Sequence, residues 1–532
     1  MNRLRLIKTA YTALAALMLA ACASDELTDG TVQDLPEGMY PLQIAGVSIT
    51  AESNAEPWGA DTPQTRMAEN TTDGKYSSAW ESGDKIKVQI GDVTPGTYTY
   101  QSSGLTVADG DAYAYWPSKA DNQIIRAWYT SSGNETVDLS DQTKGLAYVV
   151  TARTTANFNT EVSLTFSHAL AKVRVELTGE IASFVDNVSI KGYTTCTLSQ
   201  GTWNGANEGE IKMYKVADKV FEANVYPGYQ IKEVKVNNGA WSQLSTAVTP
   251  EAAKIYKMGI GVTSKTITLS DQTGEVCTVE SGKSIIIDGG GKSLNKRIVI
   301  QDNAKVMLKD VKLAAPTTEV NTIEINGSAT LLLSGTNEIN GATKGCPLVV
   351  KEGTLTINGT DTDKLTLTGG TDNNAGCLGL REGASLIING GHIVATSHAE
   401  NGSGIGSYWT RLLIPFPTCG SITINGGKIE ATGGSQSAGI GAGDQCKCGD
   451  IIITGGTITA TGGSGEYSSE CGNITISGEN TVVTAAASGT DCDKIGIGGK
   501  GGRGGICGTV TIKAGATVNS TKYASDHIGR IE

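Results

Sequence analysis

The sequence predicts an all-β protein, a β-sandwich region over residues 41–262 followed by a right-handed parallel β-helix over residues 266–532. Three observations carry that expectation. A short stretch with apolar residues two apart is written nine times, at Ile285/Ile287, Val306/Leu308, Leu331/Leu333, Leu355/Ile357, Leu386/Ile388, Ile422/Ile424, Ile451/Ile453, Ile474/Ile476 and Val510/Ile512. From residue 390 onward the copies nearly always turn on glycine, as in Ile422-Thr423-Ile424-Asn425-Gly426-Gly427 and Ile451-Ile452-Ile453-Thr454-Gly455-Gly456. Before residue 262, strand-like segments alternate with polar turns and helical periodicity is almost absent. A spacing of two puts both apolar side chains of a copy on one face, so parallel stacking turns the copies into an interior column while loops absorb the variable distance between them. Each such rung buries its pair against its neighbours, so residues 266–532 are expected to need nothing from residues 41–262.

The chain starts with a positive segment, Asn2-Arg3-Leu4-Arg5 to Lys8, then an apolar run over residues 9–21, then Leu19-Ala20-Ala21-Cys22. This resembles a bacterial lipoprotein signal peptide, which implies removal of residues 1–21, a lipid on Cys22 and a linker over residues 22–40. Ala23-Ser24-Asp25-Glu26 resembles the acidic export signal of Bacteroidetes lipoproteins, which implies anchoring in the outer membrane with the protein facing outward.

Within the sandwich region, Thr65-Arg66, Trp80-Glu81-Ser82-Gly83-Asp84-Lys85-Ile86, Tyr115-Trp116-Pro117, Ala127-Trp128-Tyr129 and Phe166-Ser167-His168-Ala169-Leu170-Ala171-Lys172-Val173-Arg174-Val175 follow one another in order. The region resembles the fimbrillin-like (Mfa-like) proteins of Bacteroidetes, with the solenoid outside the resemblance. The resemblance implies a fimbrial subunit or a surface protein derived from one. Other fimbrial subunits would then be its partners through strand donation, a form of β-augmentation, after trimming at an arginine. Arg66 stands where the family places that arginine; a solvated Thr-Arg loop is the plainer alternative. A repeating stalk subunit would end near Val262, so the continuation favours a terminal position. His168 alternates with apolar neighbours and reads as a structural histidine, and Trp80 and Trp116 read as packing residues.

Composition narrows the function. With 42 basic against 54 acidic side chains and a net charge of −12, there is no basic face for nucleic acid. Cys419, Cys448, Cys471 and Cys507 each precede a glycine directly before a rung, so they are expected to stack as a ladder, with core thiols, disulfides and a metal site as the open readings. Parallel β-helices also carry polysaccharide lyases and glycosidases, which need clustered carboxylates or a calcium, arginine and lysine set. Here Asp361-Thr362-Asp363 and Asp491-Cys492-Asp493 stand without a run of Arg or His, and His392 and His398 are isolated. The expectation is therefore no enzyme, no cofactor and no metal.

The segment Ser407-Tyr408-Trp409-Thr410-Arg411-Leu412-Leu413-Ile414-Pro415-Phe416-Pro417 is an insertion, because the same Gly-to-Cys interval is shorter at Gly441 to Cys448 and at Gly498 to Cys507. It holds the only Trp and Phe after residue 264. Tyr408, Trp409, Arg411 and Phe416 are the candidate ligand-binding residues, since aromatic faces stack on sugars and loops on rigid solenoids carry recognition; folding back to cap the rod is the alternative for this segment. The Gly-rich rungs also resemble bacterial β-helix modules that bind carbohydrate. The expected function is an adhesin or fimbrial tip subunit that binds glycans or surface ligands, with a β-helix enzyme and a bare spacer as the rival classes.

Overall fold

A computed structural model describes residues 40–49, 68–72, 75–102, 104–237, 239–317, 319–372, 376–407, 418–463, 469–487, 496–498, 508–520 and 528–531. Every regular element among them is a strand apart from two short 3₁₀ turns, Ala182–Phe184 and Leu269–Asp271. The chain divides into two compact units. Unit 1 holds Met1–Glu176 and Asn187–Gly259, and unit 2 holds Leu177–Asp186 and Ile260–Glu532.

Unit 1 is built on a seven-stranded sheet in the order Ile44–Ile49, Val162–His168, Val149–Ala156, Gln123–Thr130, Lys85–Ile90, Gly96–Gln101, Gly104–Thr106. The strand Gln123–Thr130 shows how alternation serves two cores. Ile125, Ala127 and Tyr129 enter a cluster with Ile86, Val88, Trp116, Val150 and Phe166, whereas Trp128 on the opposite face joins Val137, Leu139, Val149, Cys196 and Trp203. Trp80 packs at the rim of the first cluster, edge-on to Phe166 at 5.0 Å and to Tyr129 at 5.6 Å. Strands of a second sheet, Thr136–Asp138, Val188–Ser199, Ile231–Val236 and Ser242–Val248, with Thr202–Lys212 paired to Val188–Ser199, supply much of the second cluster. A third sheet places Ala171–Thr178 between Val220–Val225 and Ile255–Gly261. There Lys172 and Arg174 both reach the Glu222 carboxylate, at 3.1 Å and 2.7 Å.

Unit 2 contains parallel sheets of eleven, eight and nine strands, which the chain visits largely in rotation, and a two-stranded parallel sheet of Lys447–Cys448 with Glu470–Cys471. This arrangement is compatible with the expected β-helix. All nine apolar copies are neighbours in the eleven-stranded sheet, which gains Lys265–Thr268 at one end and Ile528–Ile531 at the other. Their inward residues form one cluster running from Leu269 to Ile497.

The register differs from simple copy-to-copy alignment at one place. Val306 pairs with Leu331, but Leu331 then pairs with Ile357, and Leu355 falls opposite Ala329. A slip of two residues keeps every inward side chain inward, so the apolar column tolerates it; a slip of one would invert the strand.

A second feature adds to the first rungs a contact from residues 177–186, outside 266–532. The middle residues Ile286, Met307 and Leu332 point away from the column, and Ile181 and Phe184 pack on them. Lys305 donates to the Phe184 carbonyl at 2.9 Å and pairs with Asp186, while Lys309 pairs with Glu180 at 2.6 Å. The first rungs thus take an apolar cover from residues 177–186, because three consecutive outward apolar side chains would otherwise face water.

Candidate ligand-binding site

The candidate residues read from the sequence, Cys22, Arg66, Tyr408, Trp409, Arg411 and Phe416, lie outside the described residues, as do Asp491 and Asp493. The structure does place the framework that flanks the insertion. Ile405, Ile440 and Ile497 stack in the eight-stranded sheet, followed by Gly406, Gly441 and Gly498. Gly406 has φ +140° and a Cβ there would sit 1.8 Å from the Gly441 carbonyl oxygen, so no other residue fits.

Beyond the insertion the cysteine ladder takes shape. Cys448 and Cys471 are direct register partners, and the Cys419 and Cys448 sulfurs approach to 3.2 Å. The eight described cysteines are all buried. Contact with the Cys419 and Cys471 thiols, together with burial, holds the Cys448 thiol well above its usual range. Among the described residues no three His, Cys, Asp or Glu side chains converge as a metal-binding group.

The remaining chemistry-bearing residues are mostly structural. Asp363 accepts from the Thr360 amide at 2.9 Å, the Thr360 hydroxyl at 2.6 Å and the Gly335 amide at 3.0 Å. Burial alone would raise its pKa, but these donors hold it below the usual value. His392 and Lys428 share Glu430 Oε1, at 3.0 Å and 2.6 Å. His398 Nδ1 lies 3.3 Å from the Gly369 carbonyl. Burial, with Lys172 nearby, pushes the His168 pKa down to about 4. Asp444 is buried, its Oδ1 has no hydrogen-bond partner, and desolvation pushes its pKa up to about 6.

A concave site within unit 1 joins charge to aromatic surface. A cavity of about 400 Å³ is lined by Arg126, Trp128, Arg153, Trp203, Tyr226 and their neighbours. Arg126 and Arg153 are direct partners across the antiparallel strands Gln123–Thr130 and Val149–Ala156, two residues along from the pair Trp128 and Thr151. They therefore share a face. Arg126 donates from Nη1 to the Gly91 carbonyl at 2.9 Å, and its side chain lies on Gly201, where a Cβ would come within 2.6 Å of Nε. Gly201 has φ +71°, so both conformation and contact require glycine. Trp203 closes another wall, its carbonyl accepting from the Tyr226 hydroxyl at 2.7 Å. The motif Ala127-Trp128-Tyr129 borders Arg126 in the sequence but marks neither it nor Arg153. Their pairing is set by strand register, which spacing alone does not display.

No curated protein matches the sequence. A solved structure of a candidate cell adhesion protein from Bacteroides uniformis is 22% identical, covering 34% of this chain and 88% of its own, at a TM-score of 0.27. Another from Bacteroides ovatus is 13% identical, covering 42% and 92%, at a TM-score of 0.28. A fimbrial protein from Bacteroides ovatus is 14% identical, covering 42% and 50%, at a TM-score of 0.24. Residues 65–280, which take in the cavity and extend past residue 262 into the first strands of unit 2, match the model of the family described as fimbrillin-like.

Proposed function

We propose that the protein is a non-catalytic cell-surface adhesin of the fimbrial type, a recognition subunit that binds glycans or other surface ligands. The observation that carries this reading is the fimbrillin-like match over residues 65–280. The parallel-sheet unit that follows suits display at the end of an assembly, since a subunit built only to repeat has no use for so long an extension. On this reading unit 2 is a right-handed parallel β-helix, the hand that parallel crossover connections adopt. Cys22 carries the lipid that anchors the protein to the outer membrane, facing outward. Cleavage at Arg66 would open the sandwich region to strand donation by a neighbouring subunit. The insertion bearing Tyr408, Trp409, Arg411 and Phe416 is a second recognition surface.

A glycan array probed with residues 23–532 tests the reading. Retention of a defined subset of glycans is expected. Retention of none would leave the extension as a spacer, and release of oligosaccharides from an immobilised polysaccharide would make the protein an enzyme.

A further inference from the structure

Two arginines at directly opposite positions on an antiparallel pair bring like charges to one face, and a fold normally avoids the arrangement or neutralises it. Neutralisation here is slight. Arg126 approaches Asp92 only to 3.8 Å, and that carboxylate is fully exposed, so the contact is weak. The buried Nε of Arg126 has no hydrogen-bond partner. Among the described residues no carboxylate pairs with Arg153, which stands exposed at the mouth of the cavity. Asp92 and Glu135 line an adjoining, smaller cavity that shares Arg126, Trp128, Leu198 and Gly201 with the first. Neither of these carboxylates lines the larger cavity, where Arg153 stands beside apolar walls from Trp128, Trp203 and Tyr226.

We propose that this cavity binds an acidic sugar, with the sugar carboxylate held by Arg153 and Arg126 and the apolar face of the ring against the aromatic walls. Arginine favours carboxylates through paired, charge-assisted hydrogen bonds. The volume falls in the range of small-ligand pockets, which runs from about 300 to 1,000 Å³. An extended peptide is the poorer fit. The strands that bear the two arginines are both interior to the seven-stranded sheet, so neither offers a free edge for main-chain pairing. The inference rests on the surface-recognition reading and names a ligand class for it.

The test is titration of residues 23–532, by calorimetry or ligand-observed NMR, with methyl glucuronide, methyl glucoside, sodium sulfate and N-acetylglutamate amide. Methyl glucuronide is expected to bind in the millimolar range, with the neutral glucoside roughly ten-fold or more weaker, the factor that one charge-assisted pair supplies. Arg153→Ala should weaken glucuronide by about ten-fold or more, Arg153→Lys should restore part of the loss, and the melting temperature should hold because the side chain is exposed. Equal binding of the glucoside, indifference to Arg153→Ala, or no glucuronide binding would overturn the proposal. Sulfate or N-acetylglutamate amide binding as tightly as the glucuronide would overturn the sugar assignment. Cell attachment that persists in Arg153→Ala while glucuronide binding is absent would remove this inference and leave the adhesin reading standing.

Discussion

Replacing Glu222 by glutamine should destabilise unit 1 more than any surface charge substitution. Lys172 is fully buried and Glu222 is only 2% exposed; the ammonium lies 3.1 Å from Glu222 Oε2. Arg174 reaches the other oxygen at 2.7 Å and has its own second partner, Glu176, at 3.0 Å. Glutamine keeps the shape but removes the charge, so the Lys172 ammonium stays dehydrated without its carboxylate, a loss of about 3–5 kcal/mol when one member of a buried pair is removed. Arg174 adds less to that sum than Lys172, because it keeps a second carboxylate in Glu176. Removing both charges in Lys172→Met with Glu222→Leu should recover most of the loss, leaving the double variant within about 1–2 kcal/mol of the parent. Guanidinium unfolding followed by tryptophan fluorescence is the assay, since Trp80, Trp116, Trp128, Trp203 and Trp241 all lie in unit 1. A cost below about 1 kcal/mol for Glu222→Gln, or a double variant as unstable as the single one, would refute the reasoning.

Three further outcomes are expected. Phe184→Ala should uncover Ile286, Met307 and Leu332 and cost about 3 kcal/mol, seen as faster hydrogen exchange in Ser284–Asp288 and Ala304–Lys309 with the later rungs unchanged. Two buried groups should respond to pH in opposite directions. The folded-state pKa of His168 is depressed to about 4, so its contribution holds above about pH 6.5 and is lost as pH falls toward 4; that of Asp444 is raised to about 6, so its contribution holds below about pH 4 and is lost as pH rises through 6. Melting curves of His168→Asn and Asp444→Asn against pH check the two signs, and a variant that keeps the parent's slope would contradict its assignment. Cys22→Ser should leave the protein in the aqueous phase of a detergent partition; unchanged partition into detergent would remove the lipid anchor.

Much of unit 2 was legible because a two-residue period is a direct statement about which face is buried. Ile422, Ile451 and Ile474 stack as their spacing implies. The register slip at Leu331 was not legible, because both registers bury the same residues. The cover formed by Ile181 and Phe184 left a faint trace, a third apolar residue between the two inward ones in copies such as Ile285-Ile286-Ile287 and Leu331-Leu332-Leu333. That trace is ambiguous, since Ile452 in the same middle position stays exposed. The Cys-Gly recurrence did foreshadow neighbouring thiols at Cys419, Cys448 and Cys471. Arg126 and Arg153 were hidden for the opposite reason. They meet only after the strands pair, and each alone resembles an ordinary outward charge.

Attachment is the direct measure of the central claim that this is a surface recognition protein. Cells of the producing bacterium carrying the gene, lacking it, or carrying it restored would be counted on surfaces coated with the glycans that the array retains. The account predicts attachment that falls on deletion, returns on restoration, and is blocked by adding residues 23–532 in solution. Equal attachment by all three strains, with the protein present in the first and third, would contradict it.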